Sequence, residues 1–146
     1  MNDRQPGILV VDDEAVVGRN IATILEDLSD DVVYVQSGAE AVRQCETRAF
    51  DLVMSDMQMP GMDGVELLRL LAHDYPSMRR IVLTGHADLD KTMAAINAGR
   101  VHRYLTKPCP ASDPLEAVGQ ELETSRRERL EITRLRKTIE QLSDMD

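Results

Sequence analysis

The chain has 146 residues, 42% apolar and 29% charged, the composition of one soluble globular domain large enough to bury a core. Its 17 Lys and Arg against 26 Asp and Glu leave a net charge of −9, which argues against binding a nucleic-acid backbone. No apolar run approaches the roughly 20 residues of a membrane helix, and Met1 to Gly7 is polar, so the expected location is the cytoplasm.

Ile8-Leu9-Val10-Val11 is a continuous aliphatic run that reads as a buried strand and ends on Asp12-Asp13-Glu14. From Ala15 to Leu28 the residues Val16, Val17, Ile21, Ile24, Leu25 and Leu28 recur at helical steps, the pattern of an amphipathic helix. Val32 to Val35 is a β-branched strand, and Ser37-Gly38 leads into a helix with Ala41, Val42 and Cys45 on one face. Leu52, Val53 and Met54 form a third strand that stops on Asp56, after which the chain turns through Pro60, Gly61 and Gly64. A helix with Val65, Leu67, Leu68 and Leu71 inward stops before Pro76. Arg80 to Thr84 is a fourth buried run, followed by Gly85. Asp88 to Ala98 reads as a helix closed by Gly99, with Met93 and Ile96 inward. Val101 to Thr106 is the fifth strand, ending in Lys107-Pro108.

Five strands alternating with helices imply right-handed crossovers and a parallel sheet covered on both faces, an α/β doubly wound fold in three layers. Every strand of such a sheet points its C-terminal end to one edge, where open α/β sheets place their ligands. Asp12, Asp13, Asp56, Thr84 and Lys107 all stand at those ends and should converge on one crevice.

After Pro110 the sequence offers a helix start, with Asp113 as N-cap, Pro114 in the first turn and Glu116 at the capping-box position. Nothing but Gly119 interrupts the helix before about Leu142, and Leu115, Val118 and Leu122 should cover the sheet. Some ~29 residues at ~1.5 Å each extend about 43 Å, so the tail should project. Ile132, Leu135, Ile139 and Leu142 repeat along it as an apolar seam. Three readings stand: a coiled-coil homodimer, a folded-back or frayed tail, and a helical lead-in to a further domain. The division is 1–122 for the domain and 123–146 for the extension.

Carboxylates crowded at one sheet edge repel one another, and a divalent cation relieves that repulsion. Magnesium takes a few oxygen ligands and accepts a phosphate oxygen as another. An ionised Asp beside such a cation can attack phosphorus to give an acyl phosphate, with Lys107 supplying an ammonium and Thr84 a hydroxyl to the charged transition state.

These residues give the chain its resemblance to the response-regulator receiver domain, the phosphoacceptor module of two-component signalling with a flavodoxin-like (βα)5 fold. The resemblance spans Ile8 to roughly Leu122. It rests on Val10-Val11-Asp12-Asp13-Glu14, on Asp56 followed by Met59-Pro60-Gly61-Met62-Asp63-Gly64, on Leu83-Thr84-Gly85 and on Thr106-Lys107-Pro108. It implies that Asp56 accepts phosphate from a histidine kinase or a phosphotransfer protein. It further implies that Asp13, Asp56 and the main-chain carbonyl of Gln58 bind Mg2+, with Asp12 assisting through water. Thr84 and Lys107 would contact the phosphoryl group, Tyr104 would swing inward with Thr84 on activation, and the Lys107-Pro108 bond would be cis. On this reading the chain is a switch rather than an enzyme, its only chemistry being Mg2+-dependent self-phosphorylation at Asp56 and slow self-dephosphorylation.

Other residues read more plainly. Asp63 is a helix cap, His73 and His102 are structural, the methionines around Asp56 are packing residues, and Cys45 and Cys109 form neither a disulfide framework nor a zinc motif. His86 lies where the family tunes loss of phosphate. Two other functions compete. Aspartyl-nucleophile phosphatases and phosphomutases place one residue between the two aspartates after the first strand, where Asp12 and Asp13 are adjacent. A pseudo-receiver acting only as an interaction module would not need the intact set of acceptor-site residues. The run Ala94 to Gly99 with Arg103 to Cys109 resembles receivers that precede HD-type cyclic-dinucleotide phosphodiesterases, so the chain is expected to be the receiver part of such a protein or a stand-alone receiver.

Overall fold

A strand aliphatic on both sides is stable only where both faces of its sheet are covered, and the central strands of this protein satisfy that requirement residue by residue. The computed structural model describes residues 4–85, 93–94, 96–98 and 100–145. Strands β1 (Ile8–Val11), β2 (Val32–Val35), β3 (Leu52–Asp56), β4 (Arg79–Gly85) and β5 (Arg103–Lys107) form one sheet in the order β2-β1-β3-β4-β5, every pairing parallel. Helices α1 (Ala15–Leu25), α2 (Gly38–Thr47), α3 (Gly64–Asp74) and α4 (Ser112–Ser143) complete the described elements.

Alternation along the strands divides the core in two. Leu9, Val11, Val53 and Val82 pack with Ala41 and Cys45 of α2 and Leu67, Leu68 and Leu71 of α3. Ile8, Val10, Leu52, Met54, Ile81 and Leu83 pack on the other face with Ile21 and Leu25 of α1 and Ala117 and Val118 of α4. The strand order reverses between β1 and β3, which puts the topological switch point between Asp12 and Asp56.

Several element ends depart from the sequence expectation. Helix α1 stops at Leu25, because Glu26, Asp27 and Leu28 bond back three residues and tighten the final turn. Val16, read as part of its apolar stripe, is 83% exposed, and Gly18 takes the inward position. Strand β5 begins at Arg103, since the Val101 N–H bonds to Ile96 O and only from Arg103 does the register with β4 run. Most of the helix expected from Asp88 lies outside the described residues. Of its inward residues, Met93 is 52% exposed and Ile96 is half-buried.

Helix α4 starts two residues earlier than expected, at Ser112 instead of Pro114. Ala111 is its N-cap without a side-chain bond, so Asp113 sits in the first turn instead of capping it. Ala117, Val118, Glu121 and Ser125 face the domain, while Leu115 is only half-buried.

Charged side chains fasten this helix to the N-terminal edge of the sheet. Glu121, 5% exposed, accepts from Arg79 Nη2 at 2.7 Å and Nε at 3.0 Å, and from Arg103 Nε at 3.1 Å. Burial pushes its carboxyl up, but the two guanidinium groups outweigh that and hold it below its ordinary value. Asp51 accepts from the Gly7 N–H at 2.8 Å and pairs at 3.2 Å with both Arg4 and Arg129. Beyond Ser125 every described residue of α4 is exposed.

Candidate functional site

At the opposite edge the strands deliver a different set of charges. Asp12 follows β1 and is fully buried. Its Oδ1 accepts the Glu14 N–H at 2.9 Å and its Oδ2 accepts Lys107 Nζ at 2.9 Å. Asp56, the last residue of β3 and 7% exposed, meets the same ammonium at 3.2 Å. One carboxylate oxygen from each of Asp12, Asp13, Glu14 and Asp56 lies within 4.8 Å of the others. The expected convergence of Asp12, Asp13, Asp56 and Lys107 is therefore present in the geometry, and Glu14, read from sequence only as a strand-end carboxylate, joins them.

Burial pushes the Asp56 carboxyl up to about 6, with Asp12 and Asp13 adding to the rise and Lys107 opposing it. Lys107 is itself held above its ordinary value, because Asp12 and Asp56 outweigh the effect of its burial. Four clustered carboxylates against the Lys107 ammonium leave net negative charge aimed into one crevice. An all-oxygen donor set of that charge fits a hard divalent cation such as Mg2+.

Thr84 is buried in β4, with Oγ1 3.6 Å from Met57 Sδ and 3.2 Å from Gly85 O. Gln58 is exposed on the loop past Asp56 and lines, with Met57, Asp63 and Arg69, a cleft of about 460 Å³. Tyr104 is 48% exposed on β5, and the Lys107-Pro108 peptide is cis.

Two glycines permit the close approaches behind the cluster. A Cβ on Gly64 would lie 2.3 Å from the Asp56 carbonyl oxygen, so only glycine lets α3 start against the end of β3. A Cβ on Gly18 would lie 2.1 Å from the Tyr34 ring, whose hydroxyl donates to the main-chain oxygen of Asp12 at 2.6 Å. Sequence reasoning missed Tyr34. Its only signal was a tyrosine in an otherwise all-valine strand.

The remaining candidates have ordinary places. Asp63 is the N-cap of α3 and accepts the Glu66 N–H at 2.9 Å. His73 is exposed beside Asp74, whereas His102 accepts the Arg80 N–H on Nδ1 at 2.9 Å. Burial, with the charges of Arg79 and Arg80, pushes His102 down to about 4. Met54, Met57 and Met59 are buried. Cys45 and Cys109 are free, and burial pushes the Cys45 thiol up to about 11. His86 lies outside the described residues. Among those described, no helix is long and apolar enough to cross a membrane.

Comparison with known proteins bears on the same residues. The family model described as response regulator receiver domain matches residues 8–119. A signal receiver domain of an HD domain-containing protein from Pseudomonas fluorescens is 36% identical with a TM-score of 0.82, over 88% of this chain and 95% of that one. A CheY-like receiver domain protein from Methanospirillum hungatei is 30% identical with a TM-score of 0.80, over 86% and 99%. Sensor histidine kinase GacS of Pseudomonas protegens is 37% identical over 74% of this chain, and the alginate biosynthesis transcriptional regulatory protein AlgB of Pseudomonas putida is 33% identical over 83%. The chain spans 12% of the former's length and 27% of the latter's.

Proposed function

Since the chain belongs to the response regulator receiver domain family, we propose that it is a phosphorylation-activated switch whose acceptor is Asp56. The observation that carries this reading is a buried Asp56 carboxylate sharing the Lys107 ammonium with Asp12 at a negatively charged sheet edge. An Asp56 carboxylate oxygen forms the new bond to phosphorus as the bond from phosphorus to the donor imidazole of a histidine kinase or phosphotransfer protein breaks, and the leaving imidazole takes a proton from water. Lys107 holds the attacking carboxylate and offers positive charge to the phosphoryl oxygens, and Thr84 supplies a hydroxyl to them once it turns from Met57. Asp13, Asp56 and the Gln58 main-chain carbonyl would hold Mg2+, with Asp12 assisting through water, and the ion would supply positive charge to the transferred group.

The same reading makes the chain a signalling module in the cytoplasm, with no turnover beyond gain and slow loss of phosphate at Asp56. Its charge of −9 supports an output through protein partners and not through DNA contact by this segment. Likeness to the receiver of an HD domain-containing protein supports a role as the receiver part of a protein of that kind or as a stand-alone receiver. A homodimer formed through α4 belongs to this proposal as well.

The test is intact mass after incubation with acetyl phosphate and magnesium. One added phosphoryl group is expected on the native chain and none on Asp56→Ala or in a magnesium-free control. A native chain that stays unmodified while folded would overturn the acceptor role and favour an interaction-only module.

A further inference from the structure

We propose that α4 binds a second copy of this chain in a parallel, in-register two-stranded coiled coil, with the two domains at the same end. The proposal rests on the homodimer reading above and adds its orientation and its contacts. Beyond the ion pair of Arg129 with Asp51, α4 leaves the domain and carries Ile132, Leu135, Ile139 and Leu142 at 48%, 52%, 62% and 62% exposure. Water does not stabilise four large apolar side chains on one helical stripe, and steps of three, four and three residues are those of a heptad seam.

The occupant is identified by residue type and by charge. With Ile132 at position a, the seam reads Ile, Leu, Ile, Leu at a, d, a, d. β-branched residues at a with leucine at d favour two parallel strands. Glu131 then falls at g and Arg136 at the following e, the two positions that meet across a parallel dimer. The pair occurs twice by symmetry. Arg136 has no ion-pair partner of its own among the described residues, and Glu131, though it holds Arg134 within its helix, has a second carboxylate oxygen to offer. An antiparallel pairing of the same four layers would set Arg136 of one helix beside Arg136 of the other, where like charges repel.

Position along the helix also fits. Val118, Glu121 and Ser125, buried against the domain, stand at the a, d and a positions of the preceding heptads. At roughly 100° per residue the mean direction of the distal seam is turned about 50° from the domain-facing stripe. Two-fold symmetry then places the two domains on opposite flanks of the coil. Leu130 is 56% exposed yet lies at position f, away from the seam, and so serves as an internal control.

The experiment uses the full chain at tens of micromolar, with and without acetyl phosphate and magnesium. Sedimentation equilibrium should give a dimer for the native chain and for Leu130→Asp, and a monomer for Ile139→Asp. In a Cys109→Ser background, Leu142→Cys should form a covalent dimer on oxidation, because equivalent d positions meet only in the parallel arrangement. In the antiparallel four-layer pairing these cysteines stand ten residues, or about 15 Å, apart along the axis and stay unlinked. A dimer without that cross-link overturns the orientation alone. A monomeric native chain overturns the pairing altogether. The intact-mass result on the same samples reports separately on Asp56.

Discussion

At the N-terminal edge of the sheet the buried carboxylates Asp51 and Glu121 face four guanidinium groups, those of Arg4, Arg129, Arg79 and Arg103. At the C-terminal edge Asp12, Asp13, Glu14 and Asp56 cluster, and the one ammonium among the described ion pairs there, that of Lys107, pairs with Asp12 and Asp56. The consequence is visible in the acids themselves. Glu121 is held below its ordinary value, and Asp56 is pushed up to about 6. An edge with matched charges ties elements together, here α4 to β4 and β5. An edge with excess negative charge is unfinished without a cation, and free energy held back in that way is available to binding and chemistry.

Removing one carboxylate from each edge should have opposite effects on stability. Glu121→Ala leaves Arg79 and Arg103 without their shared acceptor and should destabilise the fold by about 2–4 kcal/mol in urea titration. A loss below about 1 kcal/mol would show that the clasp does not hold α4.

The opposite sign is expected at the other edge. Asp56→Asn in metal-free buffer at pH 7 should be more stable than the native chain by about 2 kcal/mol, a net figure in which Lys107 already offsets part of the cost of burial. The folded chain resists ionising Asp56 more than the unfolded chain does. That cost is fully present above pH 6, is relieved as pH falls through about 6, and is gone below 3.8. The two stability curves should therefore converge in acid. Magnesium, binding only the native fold, should narrow the gap at pH 7.

His102 lies on the arginine-rich side, near Arg79 and Arg80. Its folded value of about 4 lies below the ordinary 6.5, so the unfolded chain takes the proton first. Stability that is complete above pH 6.5 should be lost as pH falls toward 4, by about 1–2 kcal/mol for a half-buried ring. His102→Asn should remove that slope, and an unchanged slope would place the acid sensitivity elsewhere.

The smallest effect is expected behind the acidic cluster. Tyr34→Phe removes one hydrogen bond to the Asp12 carbonyl and should cost about 1 kcal/mol. It should weaken Mg2+ binding several-fold in calorimetric titration, a readout independent of phosphorylation.

Much of the fold was legible because apolar runs of four or five residues ending on polar ones are hard to place except as buried parallel strands. Ile8–Val11 and Leu52–Asp56 have the bounds that their sequence suggests. Element ends were less legible. Asp113 has the chemistry of a cap, yet the helix begins before it, and Val16 has the period of a core residue, yet it faces water. In both cases local propensity was outweighed by where neighbouring elements could pack. For the acidic edge, sequence order predicted which side chains share a sheet end, since parallel strands all point one way.

Periodicity and strand direction are enough to give the layered α/β architecture, the edge at which Asp12, Asp56 and Lys107 gather and the apolar seam of the tail. Packing across the chain adds the burial of Glu121 between Arg79 and Arg103, the reach of Tyr34 to Asp12 through the space left by Gly18, and the place of Glu14 in the acidic cluster. Those contacts join residues distant in the chain or depend on how a loop turns. Their partners are chosen by packing, and no local pattern encodes it.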